Sequence, residues 1–237
     1  MNNIVDHLTT AALPRLSVIV PVLNEEAVIE ATLASLQPLR DQGAELILVD
    51  GGSSDATMWL AVPYVDQRMD SARGRANQMN AGAGAARAEI LLFLHADTRL
   101  PSGALETILD GLETSAKRWG RFDVIIEGQA FMLRVVAAMM NWRSRFTGIA
   151  TGDQAIFIRK AEFLAVRGFP QQALMEDIAI SRTLKERSAP LCLRQKVTTS
   201  GRRWLNGGVW RTIGMMWRLR LLYWLGVPAE QLVKEYK

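Results

Sequence analysis

Leu16-Ser17-Val18-Ile19-Val20-Pro21-Val22-Leu23, followed at once by Asn24-Glu25-Glu26, is the stretch whose reading decides the fold. It is a β-branched apolar run with a polar end, and Asn24 is placed to cap a helix through about Leu36. Leu46-Ile47-Leu48-Val49-Asp50 repeats the pattern and ends in Gly51-Gly52-Ser53-Ser54-Asp55. Neither run alternates, so both read as strands of a parallel sheet covered on both faces. A weak strand follows at Tyr64 to Met69, then a helix carrying Arg73 to Asn80 and running to about Arg87. Glu89 to Leu94 is the next strand, and Pro101 fits the first turn of a helix reaching Lys117, where its missing amide costs nothing. Beyond this the alternation loosens. Strands are expected at Arg121 to Glu127, Asp153 to Arg159 and Leu191 to Thr199, with helices at Gln129 to Phe146 and Glu176 to Arg187. Regular βα units followed by a mixed second half predict a three-layer α/β fold with a mixed central sheet.

At 237 residues, 49% hydrophobic and 22% charged, the chain has ordinary globular composition and is long enough for a sizeable core. One domain with a C-terminal elaboration is expected: a flexible leader over 1–14, a catalytic domain over 15–203, and a basic, aromatic helical region over 204–237. Met1 to Pro14 has no basic segment followed by a long apolar one, so it is not read as a signal peptide. The single Cys192 cannot form an intrachain disulfide, which makes a cytoplasmic location the default. Arg134, Arg143 and Arg145 interrupt one long apolar stretch, and Arg211, Arg218 and Arg220 the other, so no spanning helix is expected. The net charge of +4 is concentrated between Arg194 and Arg220. That balance suits phosphate-bearing ligands or anionic lipid, and it does not choose between them.

Leu94-His95-Ala96-Asp97-Thr98 ends a strand, where an open α/β sheet presents its ligands. In an extended chain His95 and Asp97 point to the same side, toward one cation or phosphate. Oxygen-loving Mg²⁺ or Mn²⁺ favours Asp97, with His95 as an Mn²⁺ ligand, a phosphate donor or a satisfied, non-ligating histidine. Asp50 with Gly51 and Gly52 can hydrogen-bond a nucleoside and let it approach the backbone, or form a plain turn capped by Ser53 or Ser54. Arg73, Arg75, Gln78 and Asn80 offer cations and amides to a diphosphate, or make a solvated helix face. Glu176 and Asp177 open a helix whose dipole favours acids there. One of them placed in a cleft would be a general base. Ser200-Gly201-Arg202-Arg203-Trp204 joins cations to an aromatic that could cover a leaving diphosphate, or is solvated surface. Trp210, Ile213, Trp217, Leu221 and Trp224 recur at helical spacing, which suits core packing or, with the basic flank, a peripheral membrane contact through 204–226.

The order of these motifs resembles the family 2 glycosyltransferases of the GT-A fold, a Rossmann-like nucleotide-diphospho-sugar transferase architecture, over about Leu16 to Trp204. The carriers are Val20 to Glu26, Val49 to Asp55, the strand-end Asp97, Gly152-Asp153-Gln154-Ala155-Ile156-Phe157 and Glu176-Asp177. Arg73-Gly74-Arg75 with Gln78-Met79-Asn80, and Leu94 to Thr98, are similar to a bacterial subgroup called transferase 2 of radical-SAM/selenodomain-associated clusters. The resemblance implies that Pro21, Glu25, Asp50, Gly52, Arg75 and Asn80 frame a nucleotide sugar and that Asp97, with His95, binds a divalent cation. It implies Asp177 as the base of an inverting single displacement, oriented by Glu176, with Gly152, Asp153 and Gln154 on the acceptor side. Arg203 and Trp204 would meet the diphosphate. Two departures stand out: His95 replaces the first acid of the usual metal motif, and the Gln-x-x-Arg-Trp motif of processive members is incomplete. One sugar per encounter is therefore expected, at the inner face of the membrane if the acceptor is lipid-linked, and nucleic acid is not an expected partner. The rivals are a sugar nucleotidyltransferase, disfavoured by the acidic Asn24-Glu25-Glu26 in place of a basic phosphate loop, and an inactive nucleotide- or lipid-binding protein.

Overall fold

The computed structural model describes residues 12–236; the flexible leader expected over 1–14 lies, up to residue 11, outside the described residues. In chain order the elements are β1 Leu16–Val22, α1 Ile29–Ser35, α2 Gln37–Asp41, β2 Ala44–Asp50, α3 Thr57–Leu60, β3 Gln67–Asp70, α4 Arg75–Ala85, β4 Ile90–Phe93, β5 Thr98–Arg99 and α5 Ala104–Thr114. There follow β6 Trp119–Ile126, α6 Phe131–Thr147, β7 Ile156–Arg159, α7 Lys160–Ala165, α8 Glu176–Arg187, β8 Leu191–Thr199, α9 Arg202–Gly207, α10 Val209–Trp224 and α11 Ala229–Tyr236.

One eight-stranded mixed sheet runs β3-β2-β1-β4-β7-β6-β8-β5. The first four strands are parallel, β7 is antiparallel to both β4 and β6, and β5 is antiparallel to β8. Every residue of β1 and β2 is buried, the polar Ser17, Glu45 and Asp50 included, as expected of strands covered on both faces. Side-chain alternation then divides the core into two. Val18, Val20, Leu46 and Leu48 pack with residues of α1 and α5 on one face, while Ile19, Ile47 and Val49 pack with α4, α7 and α8 on the other. Pro21 is tolerated inside a central strand because β4 has left by then: the β1–β4 register ends at Ile19↔Phe93, so the amide that proline lacks is not needed.

Three local expectations are revised. Asn24 caps no helix; it adopts φ 54° and links two loops, and α1 begins five residues later at Ile29. Leu94 to Asp97 is not extended, because Thr98 N–H donates to His95 O (3.0 Å) and closes a turn. The helix placed at Pro101 starts only at Ala104, after Gly103 in the left-handed region. The C-terminal helices dock through a third apolar cluster, in which Leu219 and Leu232 meet Leu174, Met175 and Ile178. Among the described residues, no helix is long and apolar enough to cross a membrane.

Candidate functional site

The carboxyl ends of β1, β2 and β4 are held open by a polar scaffold. Asn24 takes the Ser54 amide on Oδ1 (2.8 Å) and donates its own amide to Ser53 Oγ (2.9 Å), while the Glu25 amide reaches Thr57 Oγ1 (2.8 Å). Asn is among the few residues that accept the left-handed conformation this crossing needs. Beneath them, buried Gln78 donates from Nε2 to Val22 O (2.7 Å) and Val49 O (2.9 Å), tying two strand ends to α4. Asp97 is set by its backbone: its carbonyl accepts Ser200 N–H (3.2 Å), and the neighbouring Ala96 carbonyl accepts Thr32 Oγ1 (2.5 Å).

Above this edge lies a cavity of about 410 Å³ that gathers residues from the whole chain. Glu25, Arg75, His95 and Asp97 come from the first half, Gly152, Asp153, Glu176 and Asp177 from the second, and Arg202, Trp204 and Arg220 from the C-terminal helices. Asp177 is positioned by amides, Oδ2 accepting Gly152 N–H (2.9 Å) and Oδ1 accepting Ile178 N–H (2.7 Å). Burial and then the Asp177 charge push the Glu176 carboxyl above its ordinary range, against the opposing pull of Arg75. Glu25 is raised the same way, first by burial and then by Asp97, and Arg202 lies 3.7 Å from it.

Backbone strain collects here. Asn24, Ala155 and Met175 all have positive φ, and Met175 immediately precedes Glu176. Ala155 and Met175 each cost on the order of 1–3 kcal/mol in that conformation, which Asn24 is suited to adopt.

Most of the expected residues meet in this cavity, and some do not. Pro21, Asp50, Gly52, Asn80 and Gln154 are not on its wall. Asp50 is buried and its carboxylate is taken by its own loop, accepting from Gly52 N, Ser53 N and Ser53 Oγ. Asn80 spends both ends of its amide on the backbone of Phe169. Gln154 is fully buried, donating to Ser144 Oγ (3.1 Å) and closing a capping box with Thr151. The side chain of Arg203 lies outside the described residues. Thr212, Met216 and Arg220 are wall residues that the sequence reading did not select. Their spacing of four puts them on one helix face, which was legible in principle.

For a divalent cation, the donors on offer are oxygens. His95 turns Nδ1 toward Asp153 Oδ1 (3.4 Å) and packs its Nε2 side on Gly152, so it is engaged by that loop. Among the described residues, no three His, Cys, Asp or Glu side chains form a cluster able to hold a metal alone. Asp97, with Glu25 close enough to feel its charge, fits the other mode, in which one or two carboxylates share Mg²⁺ or Mn²⁺ with substrate phosphates.

The model of the glycosyl transferase family 2 domain matches residues 17–165. A PGL/p-HBAD biosynthesis glycosyltransferase of Mycobacterium bovis is 40% identical over 96 residues, which are 38% of this chain and 38% of that protein. The match therefore spans about two fifths of that relative. Among solved structures, S. aureus TarS in complex with UDP aligns at TM-score 0.64 and 17% identity, covering 78% of this chain and 60% of that one. Glucosyl-3-phosphoglycerate synthase from Mycobacterium tuberculosis, in complex with Mn²⁺ and UDP-glucose, aligns at TM-score 0.59 and 19% identity over 77% and 70%. The shared fold is the mixed α/β GT-A arrangement.

Proposed function

The chain belongs to glycosyl transferase family 2, and from that membership we propose that it moves one sugar at a time from a nucleoside-diphosphate donor to an acceptor oxygen, with inversion. The observation that carries this reading is the single cavity in which Glu25, Asp97 and Arg75 face Glu176 and Asp177. The structural neighbours solved with UDP, or with Mn²⁺ and UDP-glucose, support the donor class.

Asp97, assisted by Glu25, would hold a divalent cation, Mn²⁺ or Mg²⁺. When bound there, the cation supplies positive charge to the leaving diphosphate. Arg75 and Arg202 meet the same phosphates from two sides, the planar guanidinium donating in pairs. Asp177, held by the Gly152 and Ile178 amides, takes the acceptor's proton. The acceptor oxygen bonds to the anomeric carbon, the bond from that carbon to the β-phosphate oxygen breaks, and its electron pair leaves with the nucleoside diphosphate. Glu176 and His95 orient the acceptor side, His95 through Asp153.

The deciding experiment is calorimetric titration with UDP, GDP, dTDP and CDP, each with and without Mn²⁺, in wild type and Asp177→Asn. Metal-dependent binding of one nucleotide by both proteins, with sugar transfer by wild type alone, is the expected result. Nucleotide binding without turnover in either protein would instead favour the binding-protein reading. The engagement of His95 with Asp153 is the observation that keeps that rival in view.

A further inference from the structure

We propose that the acceptor is a phosphate-bearing amphiphile, its hydrocarbon tail lying in the groove between α6 and α10 and its anionic head held by Arg143 and Arg220. This rests on the transferase reading above and names the acceptor class for that same site.

A second cavity, about 690 Å³, adjoins the polar one. Met132, Val136 and Met139 of α6 face Trp210, Ile213 and Trp217 of α10 across it. The α6 wall extends from Met132 to Thr147, so the groove follows the helix for roughly 20 Å at 1.5 Å per residue. Those dimensions suit an extended chain better than a sugar. The groove opens into the catalytic cavity, since Asp153, Trp204, Met216 and Arg220 line both. Trp142, Phe146, Trp210 and Trp217 are exposed along its rim, where amphipathic rings suit a tail drawn from a lipid–water interface.

The head group is argued from the arginines. Nε and Nη2 of Arg143 and Nε of Arg220 are buried and have no hydrogen-bond partner among the described residues. Burial, and then the charge of Arg220, lowers the Arg143 guanidinium to about 10, and burial lowers Arg220 as well. Two neighbouring guanidiniums with unspent donors are costly to bury unless an anion joins them. Asp177 and Asp153 act on both from the catalytic side, so an anion between the arginines would sit where the groove meets the proposed base. Because Asp153 and Asp177 already set negative charge against the pair, it is the unspent N–H donors, which a phosphate oxygen would accept, that select a phosphate head over a neutral one.

The test is quenching of intrinsic tryptophan fluorescence by dodecyl phosphate brominated near its chain end, below its micellar concentration. The same brominated chain on a neutral maltoside head, inorganic phosphate as competitor, and a nucleotide titration complete the set. Saturable quenching at least tenfold tighter for the phosphate than for the maltoside is expected, with inorganic phosphate a weak competitor. Met139→Asn should weaken binding at least tenfold. Arg143→Met should erase the head-group preference while leaving Tm unchanged or higher, since it removes a buried guanidinium with two nitrogens that have no hydrogen-bond partner. Nucleotide affinity should hold in both variants. Equal affinity for the two heads would overturn the proposal. So would quenching that ignores Met139→Asn and instead follows binding to phosphatidylglycerol vesicles, which would make this face a membrane contact. An Arg143→Met protein that loses Tm but keeps the preference would make Arg143 structural and overturn its role. If wild type binds the alkyl phosphate but no nucleotide, the acceptor assignment falls with the transferase reading.

Discussion

Asp177 and Glu176 are neighbours in sequence but differ in environment, and the difference predicts different mutant behaviour. Asp177 accepts two amides at the mouth of a cavity. An asparagine there keeps the shape and one acceptor oxygen but cannot take a proton. Asp177→Asn should therefore bind nucleotide as wild type does and lose on the order of 10²–10⁴ in turnover, read by calorimetry and a sugar-release assay. Undiminished turnover would remove the base assignment. Asp97→Ala should do the reverse, weakening metal-dependent nucleotide binding first, and equal binding would remove the cation assignment. Glu176 is buried, with its carboxyl raised above the ordinary 4.5 by burial and by Asp177. An acid with a raised native pKa binds more protons folded than unfolded, so the stability it allows is complete below pH 4.5 and is lost as pH rises through the native value. Glu176→Gln should consequently raise stability in urea unfolding at pH 7.5 and leave it nearly unchanged at pH 4.5, while turnover falls. A gain that is the same at both pH values would refute the burial argument.

Helix α4 illustrates both what the sequence reveals and what it hides. Its position after β3 and its arginine-rich start were legible, since hydrophobic pattern and glycine punctuation mark the element. The same holds for α8 and β8, whose predicted limits at Glu176, Arg187, Leu191 and Thr199 are the observed ones. The fate of each polar side chain was not legible. Gln78 and Asn80, two residues apart, looked like ligands, yet one fastens strand ends and the other the Phe169 loop, because buried carbonyls demand donors that only tertiary contact identifies. The turn at His95 was hidden for the same reason, being closed by a backbone bond that any residue could make. How closely α4 approaches the sheet is testable through its glycines. A Cβ on Gly82 would stand 2.5 Å from Ile19 Cγ2 and 3.0 Å from Val49 Cγ2, whereas one on Gly84 would meet nothing within 4 Å. Gly82→Ala should cost about 1–3 kcal/mol by overpacking and, by lifting Arg75, weaken nucleotide binding. Gly84→Ala should stabilise by about 0.5–1 kcal/mol through helix propensity alone. Thermal unfolding of the two variants should move Tm in opposite directions.

At the scale of the whole molecule, the site is closed by the chain's own C-terminal helices. The parallel half-sheet presents Glu25 and Asp97 at its edge, and α8 brings Asp177 from the mixed half. Without α9 and α10 the cavity would lack Arg202, Trp204 and Arg220 and would open to water. Leu219 of α10 and Leu232 of α11 pack against Leu174, Met175 and Ile178 in a cluster separate from the two cores that flank the sheet, while Trp204, Val209 and Ile213 lie against one of those cores only as partly buried side chains. A small separate cluster can open while the rest of the fold persists. Leu219→Asp places a carboxylate at a position only 1% exposed, a cost of several kcal/mol that the local cluster cannot absorb. The C-terminal helices should then undock while the sheet stays folded. Near-ultraviolet dichroism should retain the signal of Trp119, which is fully buried in β6, while limited proteolysis should gain cleavage around Gly207 and Gly208. Turnover should fall together with nucleotide affinity, because Arg202, assigned to the donor phosphates, and Arg220, assigned to the acceptor head, leave the cavity as one unit. A variant that is cleaved there yet turns over at the wild-type rate would show that the half-sheet and α8 suffice, and that the arginines of the tail serve something other than transfer.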